Sequence, residues 1–320
     1  MTDRKIRMLF FVREPFPTFR VDVDVLFGVE LLGRGHEIDF VMQAASSGDP
    51  GGRQQWHNRT VWVGKREDRK SLIFRLWDQA LAFWHDLSCL RYLSSGRYDA
   101  VQVKDKFFVA PIIYLVAKAL GLKFFYWLSF PIPDAQLVRA RDPRTRFRGL
   151  IYLRGWLSHW LLYKWLLPRA DHVFVQSERM KADVEEKGIP ARRITAVPMG
   201  VPRGELSDDQ DADGPSPGDG TGPLRLVYLG TLAKTRGLEI LVEMLSALRS
   251  ARISAHLVMV GDGNEPEDRR LIESYARQLN VQDMLSITGF LPRAEALRRV
   301  QNADVALSPF FPIPILLSTS

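Results

Sequence analysis

Cysteine is almost missing from this chain: of its 320 residues only Cys89 carries a thiol. A single thiol closes no internal disulfide, which excludes a disulfide scaffold, and with no companion near it at metal-ligand spacing redox or zinc chemistry has no support. A reducing compartment is the expectation. Long apolar runs are missing too. No stretch approaches the ~20 apolar residues that a bilayer span needs, and the N-terminal run MLFFV is too short for the core of a signal peptide, so a cytoplasmic protein is expected. Acidic excess is absent as well. Lys and Arg number 44 against 37 Asp and Glu, giving +7 and a pI near 9.6, a balance that favours an anionic partner such as phosphate, nucleotide or membrane lipid. Because no basic stripe or nucleic-acid module accompanies that charge, nucleic acid is not among the expected partners.

What the chain does contain is alternation. Over the first 200 residues, β-rich runs (KIRMLFFV, HEIDFVM, TVWV, DAVQVK, KFFYWL, HVFVQ, ITAV) alternate with longer helical patterns, among them APIIYLVAKALG and SERMKADVEEKG. That is the signature of a parallel sheet covered by helices on both faces. The stretch GELSDDQDADGPSPGDGTGP has almost no large apolar residue and reads as a loop or linker. Alternation restarts after it with LRLVYLG, AHLVMVG, LSITGF and DVALSPF. The reading is an α/β protein of two Rossmann-like domains: 1–203, a linker at 204–223, and 224–320. Four strand signals are fewer than the about five or six of a doubly wound sheet, so the second domain is expected to be incomplete and the chain a fragment or truncated product, with a naturally small domain as the alternative.

Ligands of open α/β sheets sit beyond the carboxyl ends of the strands. Gly230 and Gly261 fall at such ends. In YLGTLAKTRG, a helix starting near Gly237 would aim backbone N–H groups and partial positive charge into the crevice, with Lys234 and Arg236 adding full charges beside it. A diphosphate is the anion this arrangement suits, Arg for bidentate contact and Lys as a mobile point charge; the alternative is a pair of solvated loop cations. Gly261 and Gly263 in LVMVGDGNEPEDRR repeat the glycine turn, but no third glycine completes G-x-G-x-x-G, which counts against a nicotinamide or flavin enzyme.

In order along the chain, ADHVFVQSERMKADVEEKGIPARRITAVPMGVP, LVYLGTLAKTRGLEILVEML, LVMVGDGNEPEDRRLIESYARQLN and MLSITGFLPRAEALRRVQNADVALSPF resemble glycosyltransferase family 4, the "glycosyl transferases group 1". The resemblance implies a GT-B fold, two Rossmann-like domains facing across a crevice, and a retaining transfer from a nucleotide-sugar donor to a glycan or lipid-linked acceptor in surface polysaccharide synthesis. It places Gly230, Thr231, Lys234 and Arg236 on the donor diphosphate, Gly261 and Gly263 near phosphates and ribose, and the backbone of Gly289, Phe290 and Leu291 against the base. Asp171 and Ser177 match architectural positions. The family's paired glutamates would lie at or beyond the C-terminus, and the glycine-rich loop after the first strand is replaced by FVREPFPTFRVDVDVLF, where Arg20 and Asp22 would face acceptor or donor, or else cap the loop or make surface salt bridges.

For catalysis, Asp105 in VQVKDKF stands at a strand end and is the candidate, with helix N-capping as the alternative; Ser129 ends the next strand, where family members often have His. The leaving diphosphate itself can accept the acceptor's proton, so the chemistry is expected to be electrostatic and to need no cofactor or metal. An inactive remnant that binds without turnover and a sugar-nucleotide epimerase are the competing readings. Finally, RFRGLIYLRGWLSHWLLYKWLLPR (146–169) mixes Trp156, Trp160 and Trp165 with Leu and with Arg154, His159 and Lys164. It suits either a helix resting on a membrane surface or one packed in the first domain with snorkelling basic ends.

Overall fold

The computed structural model describes residues 5–18, 20–67, 72–141, 145, 147–200, 222–263 and 266–309. Most of the linker (204–221), Arg146 and the terminal segment from Phe310 lie outside these. The described residues fall into two compact units, 5–200 and 222–309.

Unit 1 is built on eight strands: β1 (Arg7–Phe16), β2 (Glu37–Ala44), β3 (Gly52–Trp56), β4 (Arg59–Gly64), β5 (Ala100–Lys104), β6 (Lys123–Leu128), β7 (His172–Val175) and β8 (Ile194–Ala196). They lie in the order β3-β4-β2-β1-β5-β6-β7-β8. Five consecutive residues of β1, Met8 to Val12, are buried, as a central parallel strand covered on both faces requires. Alternate side chains feed two cores. Leu9 and Phe11 join Val101, Val103 and Ile113 on one face; Met8, Phe10 and Val12 join Phe27, Phe40 and Trp127 on the other.

The alternation predicts a parallel sheet, but the sheet of unit 1 is mixed. β3 runs antiparallel to β4 through a two-residue turn whose residues, His57 and Asn58, both have positive φ, 49° and 60°. Such a turn matches the twist of a hairpin, but its usual marker is Asn-Gly or Asp-Gly, and GRQQW has no apolar alternation to announce a strand.

The helices of unit 1 are α1 (Leu31–Gly33), α2 (Leu72–Cys89), α3 (Ala110–Ala119), α4 (Ile132–Arg141), α5 (Arg148–His159) and α6 (Glu178–Glu186). The segment VDVDVLFGVELLGRG becomes a π-helical turn, Leu26–Glu30, running into the single turn of α1. Gly155 of α5 lets α4 approach, since a Cβ there would press on Gln136 and Leu137 at 3.1–3.3 Å.

Unit 2 holds β9 (Leu224–Leu229), α7 (Glu239–Ser250), β10 (Ala255–Val260), α8 (Pro266–Gln278), β11 (Leu285–Ile287), α9 (Arg293–Gln301) and β12 (Val305–Leu307). Its strands are all parallel, in the order β11-β10-β9-β12. Among the described residues, α7 and α8 pack a core containing Tyr228, Val242, Leu257, Met259 and Ile272 on one face, and α9 packs a smaller cluster of Val227, Val260 and Ala296 on the other. Among the described residues no helix is long and apolar enough to cross a membrane.

Candidate active site

In unit 1 the strand order reverses between β1 and β5, and the crevice of such a sheet opens beyond the carboxyl ends of those strands. Lys104, the last residue of β5, is completely buried there, its ammonium 2.7 Å from Glu14 Oε1 and 2.6 Å from Asp22 Oδ2. Arg20 Nε lies 3.0 Å from Asp22 Oδ1 and 3.2 Å from Glu14 Oε1, and Gln176, just past β7, donates to Asp22 Oδ2 at 3.2 Å. Burial acts to raise the Asp22 carboxyl, but Lys104 and Arg20 outweigh it and hold the group below the usual carboxylate range. Arg20 and Asp22 thus pair with each other, and Asp22 is also committed to a buried ionic cluster. A buried cation compensated by two carboxylates holds the loop after β1 against the end of β5.

Asp105 follows Lys104 in the left-handed region, φ 55°. Its side chain does not cap α3, whose N-cap is Val109. It reaches instead to the end of β6, where the Ser129 backbone N–H donates to Oδ1 at 3.0 Å and the Ser129 hydroxyl donates to Oδ2. Burial raises the Asp105 carboxyl to about 6, against the Ser129 hydrogen bonds and the charge of Lys104. Asp105 also lines a cleft of about 220 Å³ with Arg13, Gln43, Asp86, Lys106 and Arg154. Within it Lys106 binds both Asp86 oxygens, at 2.6 and 2.8 Å. The cleft therefore combines one carboxyl poised near neutrality with several cations, a setting for polar or anionic groups.

Asp171 and Ser177 are architectural. Asp171 accepts from Lys118, Lys123 and the Phe124 N–H, and Ser177 caps α6 by accepting from the Met180 N–H. Cys89, the last residue of α2, is buried, and burial lifts its thiol to about 11, leaving it protonated and inert.

In unit 2 the reversal lies between β9 and β12, and the carboxyl end of β9 is Gly230 and Thr231. The Gly230 N–H donates to Val260 O at 3.0 Å, and the Gly261 N–H to Gly289 O at 3.1 Å. Gly261 has φ 138°, and a Cβ there would collide with the Gly230 carbonyl, so glycine is obligatory. Gly263 donates its N–H to Asp262 Oδ1 at 2.8 Å. Three strand ends are thereby brought together as bare backbone. Phe290 beside them is exposed, and Leu291 packs toward α9.

Lys234 and Arg236 lie in a short 3-10 turn, Lys234–Arg236, between β9 and α7, and both are exposed. The Lys234 N–H donates to Asp268 at 3.2 Å. Arg236 stands by the Tyr228 hydroxyl, which donates to Thr231 O at 3.0 Å. α7 starts at Glu239; the N–H groups of Arg236 and Gly237 bond to the carbonyls of Ala233 and Lys234, and those of Ile240 and Leu241 to the carbonyls of Gly237 and Leu238. With Glu239 in the first turn of the helix, attraction for an anion rests on the two cationic side chains more than on the helix terminus. Among the described residues no group of three or more His, Cys, Asp or Glu is arranged to hold a metal ion.

The aromatic segment divides. In α5 only Gly155 and Ser158 are buried, and Trp156 is exposed. After a π-helical run, Trp160–Leu166, the chain turns inward: Leu162, Tyr163 and Leu166 are buried, Trp165 packs edge-on against Tyr114, and Trp160 and Lys164 stay exposed.

Lys104, Glu14, Gln176, Arg13 and Lys106 were not among the sequence candidates. The signal available for Lys104 was a lysine closing the buried run AVQVK, a place where a charge needs partners.

A model of the glycosyl transferase 4-like domain matches residues 27–200, and one of the glycosyl transferases group 1 matches residues 209–316. A relative from Salmonella typhimurium (strain LT2), named for colanic acid biosynthesis as the glycosyltransferase WcaL, is 27% identical over 167 residues, 52% of this chain and 39% of that protein. The match thus spans well under half of the relative's length. Among solved structures, WaaG, a glycosyltransferase involved in lipopolysaccharide biosynthesis, aligns over 98% of this chain and 78% of its own, with TM-score 0.65 and 16% identity. HepE of Anabaena, in complex with UDP and glucose, aligns over 94% of this chain and 73% of its own, with TM-score 0.57 and 11% identity. The fold is that of the GT-B glycosyltransferases, and the chain belongs to the glycosyl transferase 4-like family.

Proposed function

We propose that the protein transfers a sugar, with retention of anomeric configuration, from a nucleotide-sugar donor to a glycan or lipid-linked acceptor in surface polysaccharide synthesis. The observation that carries this reading is the convergence of Gly230, Gly261 and Gly289 at the carboxyl end of the unit 2 sheet, with Lys234 and Arg236 beside them. Bare backbone admits a diphosphate closely, and two cations meet its charge. The UDP and glucose held by HepE, and the polysaccharide context in the names of WcaL and WaaG, support the same substrate class.

In this reading the bond between the anomeric carbon and the diphosphate oxygen breaks while the acceptor oxygen bonds on the same face. The acceptor's proton passes to the departing diphosphate, whose growing charge Lys234 and Arg236 stabilise without a metal. Asp105, with its carboxyl near neutrality, is the acceptor-side group of unit 1, in a cleft whose cations suit a polar acceptor.

The test is a thermal-shift series with UDP-, GDP- and ADP-sugars. One nucleotide class should stabilise the protein, chelator should leave the shift in place, and Lys234→Ala with Arg236→Ala should weaken binding roughly tenfold or more. An unchanged shift in the double variant rules out this diphosphate site. Proton NMR of the product formed with acceptor then reads the anomer, and inversion would refute retention.

A further inference from the structure

The polarity of α5 is turned inside out. A helix on a protein surface buries its apolar stripe and shows solvent its polar one. The two residues α5 buries are the smallest available, Gly155 and Ser158, which seat it against α4. Its outer face carries Leu150, Leu153, Trp156 and Leu157, exposed by 68%, 58%, 51% and 43%, and Trp160 continues the face at 47%. At about 3.6 residues per turn these five fall on one side of the helix, opposite Gly155 and Ser158.

Charge identifies what covers that face. From Thr145 to Ala170 the chain contains no Asp or Glu, while Arg148, Arg154, Lys164 and Arg169 are all present. Arg154 borders the apolar face and lies over the exposed Phe108 ring at 5.7 Å, whereas Arg148 is turned toward α4, its Nε donating to the Ala140 carbonyl at 3.2 Å. A second copy of this helix would bring cations against cations, with no acid in either segment to pair them. Tryptophan and leucine bordered by arginine instead match the headgroup layer of an anionic bilayer, with rings and aliphatic chains at the acyl boundary and guanidinium groups on phosphate.

From this we infer that α5 is a membrane-docking helix that lays unit 1 flat on an anionic phospholipid surface through Leu150, Leu153, Trp156, Leu157 and Trp160. Arg154 and Phe108 also line the cleft holding Asp105, so docking would set the mouth of that cleft at the lipid surface, where a lipid-linked molecule presents its headgroup. The docking claim does not rest on the transferase reading, because lipid binding is measured without donor or turnover.

The full chain is sedimented with vesicles of phosphatidylglycerol and phosphatidylethanolamine and, separately, of phosphatidylcholine. Strong binding to the anionic vesicles, weakened by salt and weak on phosphatidylcholine, is expected. Leu153→Glu with Trp156→Glu should weaken it roughly tenfold or more, with circular dichroism and melting temperature preserved because both positions are exposed. Trp156→Ser alone, a milder change, should give a smaller loss in the same direction. The inference is overturned by absence of binding, by equal binding to phosphatidylcholine, by binding that survives the double variant, or by light scattering that shows the face occupied in a dimer which the double variant dissociates.

Discussion

Asp105 illustrates how one carboxyl records its surroundings. Its folded form keeps its proton up to about 6, whereas the unfolded chain releases it near the ordinary aspartate value. Between those values the native state binds more protons, so this group's contribution to stability declines as pH rises from about 4 to about 6. Asp105→Asn removes that decline, and asparagine tolerates the left-handed backbone. In urea unfolding the variant should therefore gain on the parent from acid toward neutral pH, by up to about 3 kcal/mol. A pH-independent difference would contradict the raised value. If Asp105 also acts in transfer, the parent's rate should rise through about pH 6 and the variant's should be low and flat. Lys104 makes the converse case: Lys104→Met leaves Glu14 and Asp22 sharing the single, partly exposed Arg20 as their cation and should cost about 3 kcal/mol in the same assay.

Neighbouring positions of α5 separate packing from surface function. Gly155→Leu would wedge α5 away from α4, where Gln136 and Leu137 already sit against that Cα, and is expected to lower stability by about 1–3 kcal/mol. Trp156→Ala, one residue on and half-exposed, should change stability by no more than about 0.5 kcal/mol; thermal melts of the two compare them directly. The alternation of strands and helices was legible because buried parallel strands such as RMLFFV and AVQVK read as apolar runs. The hairpin of β3 was not, since its turn and its polar strand give no periodic signal, and neither was α4, whose sequence IPDAQLVRAR has little amphipathic pattern. Which side of α5 faces the protein was also hidden, because small residues rather than large ones make the contact.

Each of the two units has a core of its own, and among the described residues the core of the second is the smaller. Stability should therefore be unevenly distributed. In urea the protein is expected to unfold in two steps, and a bound nucleotide-sugar should shift the step belonging to unit 2 while leaving that of unit 1 in place. Limited proteolysis of the intermediate identifies which unit opened, and a single transition displaced as a whole would refute the assignment. The family, the α/β class and the glycine turns of the second unit could be inferred from local order alone, since strand runs, glycines and their spacing are written consecutively along the chain. The cluster of Glu14, Asp22, Lys104 and Gln176 could not, nor could the Asp105–Ser129 pair. Gln176 and Asp22 are 154 residues apart, and their meeting follows from a strand order that carries β1, β5, β6 and β7 to one edge. The state of a buried charge depends on which neighbours that order supplies, and chain sequence leaves it open until the sheet is assembled.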